Sequence, residues 1–192
     1  MRGMGELAPG SVILLNGPSS AGKSTLARAL QGRLDVPFLR FSLDFLLFGG
    51  EVLPERRDHE GPFAWSSMRP RLFDGYYRCL FALARAGNNL VVDLIIETTK
   101  QKRRLIEELG RLDVFYVGLH CPLPELERRE RARGDRHMGD ARRDLEFVHV
   151  FGPYDFEVNS SLSPECNAER IIAAWHTRAQ PSRFAVSAGQ TS

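Results

Sequence analysis

The sequence predicts an α/β fold in which a parallel β-sheet is covered by helices on both faces. Three observations carry that expectation. Short apolar runs without a polar face alternate with segments of helical periodicity, the pattern of strands joined by crossover helices. The first such run, Val12-Ile13-Leu14-Leu15, opens directly into a Gly-rich turn and then a helix. Finally, the turn after Leu15, Asp44 and Asp93 all lie just past apolar runs, at the carboxyl ends where sheets of this class hold their ligands.

Each element has its own local reason. Residues 12–15 are apolar throughout, as expected of a strand buried on both faces. Leu26, Ala27, Leu30 and Leu34 recur at helical spacing over 24–34, and Pro37 ends that helix. Residues 38–42 read as the second strand. Residues 49–66 mix Gly, Pro and charge with no period, which predicts a loop or cap. Leu72, Phe73, Tyr76, Leu80, Leu83 and Ala84 mark an amphipathic helix over 68–86 that stops at Gly87. A third strand spans 90–95, a helix 100–109 and a fourth strand 114–119. Helices follow over 123–133 and 142–150, then a short strand at 156–158 and a last helix over 165–177. The Lys100–Arg104 run reads as an exposed helix start. The polar end from Gln180 is expected to fray.

Composition narrows the class. The chain has 192 residues, 43% of them hydrophobic, enough for a packed core and too many for a disordered chain. That predicts one domain over 11–178, an extension over 1–10 and a tail over 179–192. With 26 Lys+Arg against 24 Asp+Glu, a net charge of +2 argues against nucleic acid or an anionic membrane as partner. Three widely spaced cysteines without a CxxC pair exclude a disulfide scaffold or zinc ribbon and fit a reducing, cytoplasmic setting. Residues 1–10 lack the apolar stretch of a signal peptide.

The chemistry concentrates in Gly17-Pro18-Ser19-Ser20-Ala21-Gly22-Lys23-Ser24, which satisfies GxxxxGK[ST] at every fixed position and is followed by Thr25. A turn of this length points successive backbone N–H groups at phosphate oxygens, and the helix behind it presents its positive end. Lys23 can reach the β- and γ-phosphates, and the Ser24 hydroxyl can bind Mg²⁺. Asp93, closing an apolar strand, is the candidate second metal ligand beside Ser24; a cap for the following turn is the plainer alternative. Asp44 is either a general base facing the γ-phosphate or an N-cap for residues 45–48. Arg129 and Arg133 share a helix face, Gly134 breaks the helix and Arg136 follows. Closing over a triphosphate, such a lid (about 128–142) would neutralise charge on the transferred group. The i,i+4 pairs Glu125–Arg129 and Glu127–Arg131 offer the plainer reading of a solvated helix face.

Taken in order, LNGPSSAGKS (15–24), FSLDFL (41–46), LARAGNNLVVD (83–93), VGLHC (117–121), ERARGDR (130–136) and YDFEVNSS (154–161) resemble the chloramphenicol phosphotransferase family of small P-loop kinases. The resemblance runs over 12–175. It implies a three-layer fold with five parallel strands in the order 2-3-1-4-5. It also implies ATP with Mg²⁺, a small-molecule alcohol as partner and Asp44 as base. Lys23, Arg133 and Arg136 would assist the transfer; residues 17–25, Arg129 and Arg133 would hold nucleotide. Two departures stand out: Leu94 replaces a second acid after the third strand, and 45–71, the expected acceptor cap, differs almost throughout. Phe45, Leu46, Phe48, Phe63 and Trp65 make that cap apolar, suiting an aromatic or amphipathic alcohol or else anchoring the cap to the core. A metabolic small-molecule or nucleoside kinase is the alternative. A regulatory NTPase switch fits less well, since no NKxD motif is present. Homo-oligomerisation is left open.

Overall fold

A computed structural model describes residues 8–49, 52–133, 138–178 and 182–186. Five strands, β1 (Val12–Asn16), β2 (Phe38–Arg40), β3 (Asn89–Leu94), β4 (Val114–His120) and β5 (Phe156–Asn159), form one parallel sheet in the order β2-β3-β1-β4-β5. The chain leaves β1 to one side for β2 and β3, then crosses to the other for β4 and β5. A crevice therefore opens at the carboxyl end of β1, the switch point. The register sets Leu15 between Asp93 and Val117.

Alternation along β1 builds the two cores. Ile13 and Leu15 face Leu26, Ala27 and Leu30 of α1 (Lys23–Gln31) and Ala168 and Ile171 of α6 (Pro164–His176). Val12 and Leu14 face Tyr76 and Leu80 of α2 (Trp65–Arg85) and Leu105 and Leu109 of α3 (Thr99–Leu109). Leu126 of α4 (Leu123–Arg133) and Ala141 of α5 (Asp140–Phe147) join the first core. The four aliphatic side chains of β1 are fully buried, each stabilising the fold by about 1.5–3 kcal/mol.

Four expectations need correction. The second strand stops at Arg40 because Ser42 starts a helical turn: its carbonyl accepts the Phe45 N–H and its hydroxyl the Asp44 N–H. That turn continues as a π-helical segment, Phe45–Gly49. The expected 142–150 helix divides into α5 and a 3₁₀ turn, Val148–Phe151, because the Val148 carbonyl is turned to the Asn16 side-chain amide. Lys102, expected on an exposed face, is buried, its ammonium 3.7 Å from the Tyr116 ring centroid. Within the tail expected to fray, a short helix, α7 (Arg183–Val186), carries fully buried Phe184. Asp155 pins it by accepting from the Ser182 hydroxyl (2.5 Å) and the Arg183 N–H (2.6 Å).

Candidate active site

The phosphate-type loop is shaped by what lies beneath it. A Cβ on Gly17 would come within 2.6 Å of the Leu119 carbonyl oxygen, so only glycine lets β1 leave the sheet against β4. Ser20 and Gly22 both adopt positive φ, 61° and 98°, which curls the backbone into an anion-sized concavity. Lys23 opens α1 and donates to the carbonyls of Gly17 (2.8 Å) and Pro18 (2.7 Å). Ser24 donates its hydroxyl to Asp93 Oδ2 at 2.6 Å. Asp93 is buried, and its other oxygen has no hydrogen-bond partner among the described residues. A buried, half-satisfied carboxylate beside a hydroxyl is a donor set suited to a hard divalent cation such as Mg²⁺.

Three residues that sequence reasoning passed over hold the loop. Asn16 is fully buried; its oxygen accepts the Ile96 N–H (3.0 Å) and its amide donates to the Val148 carbonyl and the Tyr154 hydroxyl (both 2.9 Å). It ties the loop base to the segments after β3 and α5. Asp144, on α5 and buried, accepts the Ser19 N–H at 3.0 Å. Glu130, 1% exposed, accepts the N–H groups of Gly139 (2.9 Å) and Ala141 (2.8 Å) and so caps the start of α5. Nothing in the local sequence separates these acids from solvated ones; only burial does.

Of the expected arginines, Arg129 reaches the loop: it donates to the Ala21 carbonyl (3.0 Å) and is held by Glu125 (2.6 Å). The Glu125 carboxyl is pulled down to about 2 by its bonds to Arg128 and Arg129. Glu127 is bridged instead by Arg142 at 2.6 Å. Arg133 closes α4 with its side chain outside the described residues, and Arg136 lies outside them altogether. His149 stacks on His120 at 4.0 Å, and burial with that neighbour pushes its imidazole down to about 4.

A cavity of about 680 Å³ runs over the loop from Ser19 to Thr25. On the β4/β5 side it is lined by Arg128, Arg129, Ser160, Leu162 and Asn167. On the β2/β3 side Asp44, Leu47, Trp65, Arg69, Phe73, Leu94 and Glu97 line it, with Asp93 between. Gly17 and Pro18 are absent from this lining and serve the site from below, through the carbonyls that hold Lys23. Ser42, not Asp44, occupies the capping position of the 45–49 turn. Arg69 escaped attention, although its spacing of four from Trp65, expected in the cap, and from Phe73, expected on the apolar helix face, places the three on one face of α2. The arrangement can hold a triphosphate at the loop, a divalent cation at Ser24 and Asp93, and a second molecule against Asp44.

The family model that matches residues 10–176 is described as chloramphenicol phosphotransferase-like protein. Proteins from two strains of Mycobacterium tuberculosis, provisionally described as O-phosphotransferases, are 31% identical to this chain, covering 85% of it and 80% of themselves. Among solved structures, the tunicamycin resistance protein of Deinococcus radiodurans superposes with a TM-score of 0.63 at 23% identity, covering 90% of this chain and 99% of its own. The Mycobacterium tuberculosis APS kinase, solved with AMPPNP and APS, gives 0.61 at 21%, covering 88% and 98%. The Sinorhizobium meliloti gluconokinase gives 0.54 at 15%, covering 89% and 94%.

Proposed function

The chain belongs to the chloramphenicol phosphotransferase-like family, and on that premise we propose that it moves the γ-phosphate of ATP to a hydroxyl of a small amphipathic alcohol. The chain is a small-molecule phosphotransferase of the P-loop kind. One observation supports it most: Asp44 and Asp93 line a single cavity with the phosphate loop. The loop N–H groups and Lys23 bind the β- and γ-phosphates, with Lys23 exchanging its two carbonyl partners for phosphate oxygens. Ser24 and Asp93 would hold Mg²⁺, which would neutralise charge on the phosphates. The acceptor oxygen attacks the γ-phosphorus as the bond to the β–γ bridging oxygen breaks, its proton passes to Asp44, and ADP leaves with the bridging oxygen. Arg129 braces the loop, and Arg133 and Arg136 would neutralise charge on the transferred group.

The acceptor pocket is apolar where Leu47, Trp65, Phe73 and Leu94 line it, which favours an alcohol with an aromatic or amphipathic body; chloramphenicol is the one the family's description names. ADP release measured over a panel of hydroxylated antibiotics and metabolites tests the reading. Turnover should rise at least tenfold with an acceptor and stay at background with its deoxy analogue. Equal turnover with and without every acceptor would instead support a nucleotide hydrolase.

A further inference from the structure

The short helix α7 is tied to the base of the phosphate loop through Tyr116 of β4. Phe184, on α7, is fully buried with its ring edge-on to that of Tyr116, the centroids 5.4 Å apart. The Tyr116 hydroxyl accepts from the Asn16 side-chain amide at 3.2 Å and donates to the Phe151 carbonyl at 3.3 Å. Asn16 closes β1 and stands directly before Gly17. A second route runs through Asp155. Its Oδ2 accepts both the Ser182 hydroxyl (2.5 Å) and the Tyr116 N–H (2.8 Å), while Oδ1 accepts the Arg183 N–H (2.6 Å). Lys102 lies over both rings, its ammonium 3.7 Å from the Tyr116 centroid and 4.3 Å from that of Phe184. Tyr116, Asp155, Ser182 and Phe184 all lie outside the cavity lining, so they touch neither nucleotide nor acceptor.

We propose that Ser182 and α7 form a strap that positions the phosphate loop, so that docking of the strap and binding of nucleotide reinforce each other. The inference rests on the phosphotransferase reading above for its ligand, a nucleoside triphosphate with a divalent cation. The Asn16 amide has two hydrogens for three nearby oxygens, those of Tyr116, Tyr154 and Val148. Moving any one of them redistributes the other two bonds. The same side chain accepts the Ile96 N–H, so its orientation also sets the turn after β3. With Phe184 withdrawn, the Tyr116 ring loses its packing along one edge, and neighbours shift to fill the hole in a close-packed core. Asp155 loses two of its three donors at the same time. The loop binds phosphate only in its curled form, so any population shifted away from that form is subtracted from nucleotide affinity. Linkage requires the converse: a bound nucleotide, which fixes the loop, tightens the strap by the same factor. Packing alone would instead give a strap whose loss lowers stability and leaves affinity unchanged.

The test measures Mg·ATP binding by titration calorimetry for the native chain, Phe184→Ala, Phe184→Leu, Tyr116→Phe and Leu109→Ala, at a temperature where circular dichroism shows each folded. Leu109 is fully buried in the same core but closes α3 at the end of the sheet away from the crevice. Phe184→Ala should weaken Mg·ATP about tenfold, and Phe184→Leu should recover most of that loss. Tyr116→Phe removes only the hydroxyl and should weaken binding about fivefold. Leu109→Ala should stay within about twofold of native affinity despite its lower stability. In turnover the strap variants should raise KM for ATP and leave kcat unchanged. Reciprocally, Mg·ATP should slow hydrogen exchange of the Arg183 amide, bonded to Asp155, about tenfold. A Phe184→Ala protein with native affinity would overturn the strap, as would an equal loss in Leu109→Ala or an Arg183 amide indifferent to nucleotide. If Phe184→Ala does not fold, Tyr116→Phe and the exchange measurement decide. A native chain that binds Mg·ATP but phosphorylates no acceptor would remove the phosphotransferase reading while the affinity ratios still decide the strap; one that binds no Mg·ATP would overturn both.

Discussion

Asp93 shows how one residue can be read from its partners. Its carboxylate is buried with one oxygen on the Ser24 hydroxyl and the other unsatisfied, an arrangement costly unless a cation completes it. Asp93→Asn should therefore raise the Mg²⁺ concentration for half-maximal activity, and an unchanged Mg²⁺ titration would reduce Asp93 to a structural acid. Asp44→Asn keeps the side chain's shape but cannot take a proton at neutral pH. The expected outcome is a fall in kcat of roughly 10²–10⁴-fold with nucleotide affinity and melting temperature nearly unchanged; a fully active variant would remove Asp44 as base. Lys102 makes a different prediction, because burial between Tyr116 and Phe184 pulls its ammonium down to about 7. The unfolded chain, with an ordinary lysine, then binds more protons than the folded one between about pH 7 and 10.5. This group's contribution to stability thus rises with pH across that window and falls away toward pH 7. Lys102→Met should raise the melting temperature most near pH 7, with the gain vanishing toward pH 10; a pH-independent difference would contradict the burial argument.

Helices and loops set the same site one level up. Glu130 of α4 anchors the start of α5 by accepting the Gly139 and Ala141 N–H groups. Removing that carboxylate leaves two backbone donors without their acceptor at the start of α5. Glu130→Ala should cost roughly 1–3 kcal/mol, read in a urea melt. Because α5 also carries Asp144 against the Ser19 N–H, weaker nucleotide binding should accompany the loss. Glu130→Gln, which retains one acceptor, should recover part of both. A substitution that altered neither stability nor nucleotide affinity would mean that α5 starts without this cap.

For the molecule as a whole, the two cores on either side of the sheet support a crevice between β3, β1 and β4 that is built from seven separate segments. A ligand that binds only when those segments are assembled stabilises the fold by mass action. ATP with Mg²⁺ at a hundred times its dissociation constant should add about 2.7 kcal/mol, a rise in melting temperature of roughly 5–10 °C for a chain of this size. Lys23→Ala should melt near the native temperature without nucleotide, lose that rise and lose phosphoryl transfer, since the Lys23 side chain donates to loop carbonyls rather than packing in a core. A Lys23→Ala protein that is unfolded, or that retains the nucleotide shift, would contradict the assignment.

Local pattern was enough to read the alternation of strands and helices, because periodicity records which faces are buried. It was also enough for the phosphate loop, whose chemistry is written in eight consecutive residues. The strand order came from the ordered set of family motifs rather than from any single element. Tertiary structure decided what depends on residues distant in the chain. Lys102 is buried between Tyr116 and Phe184, the latter far along the chain, and Asp144 meets Ser19 across 125 positions. The Arg69–Glu97 pair is the clearest instance, since the two meet only when α2 packs beside the turn before α3. Burial and pairing of polar groups are properties of that assembly, and a one-dimensional pattern encodes them only where the partners are neighbours in sequence.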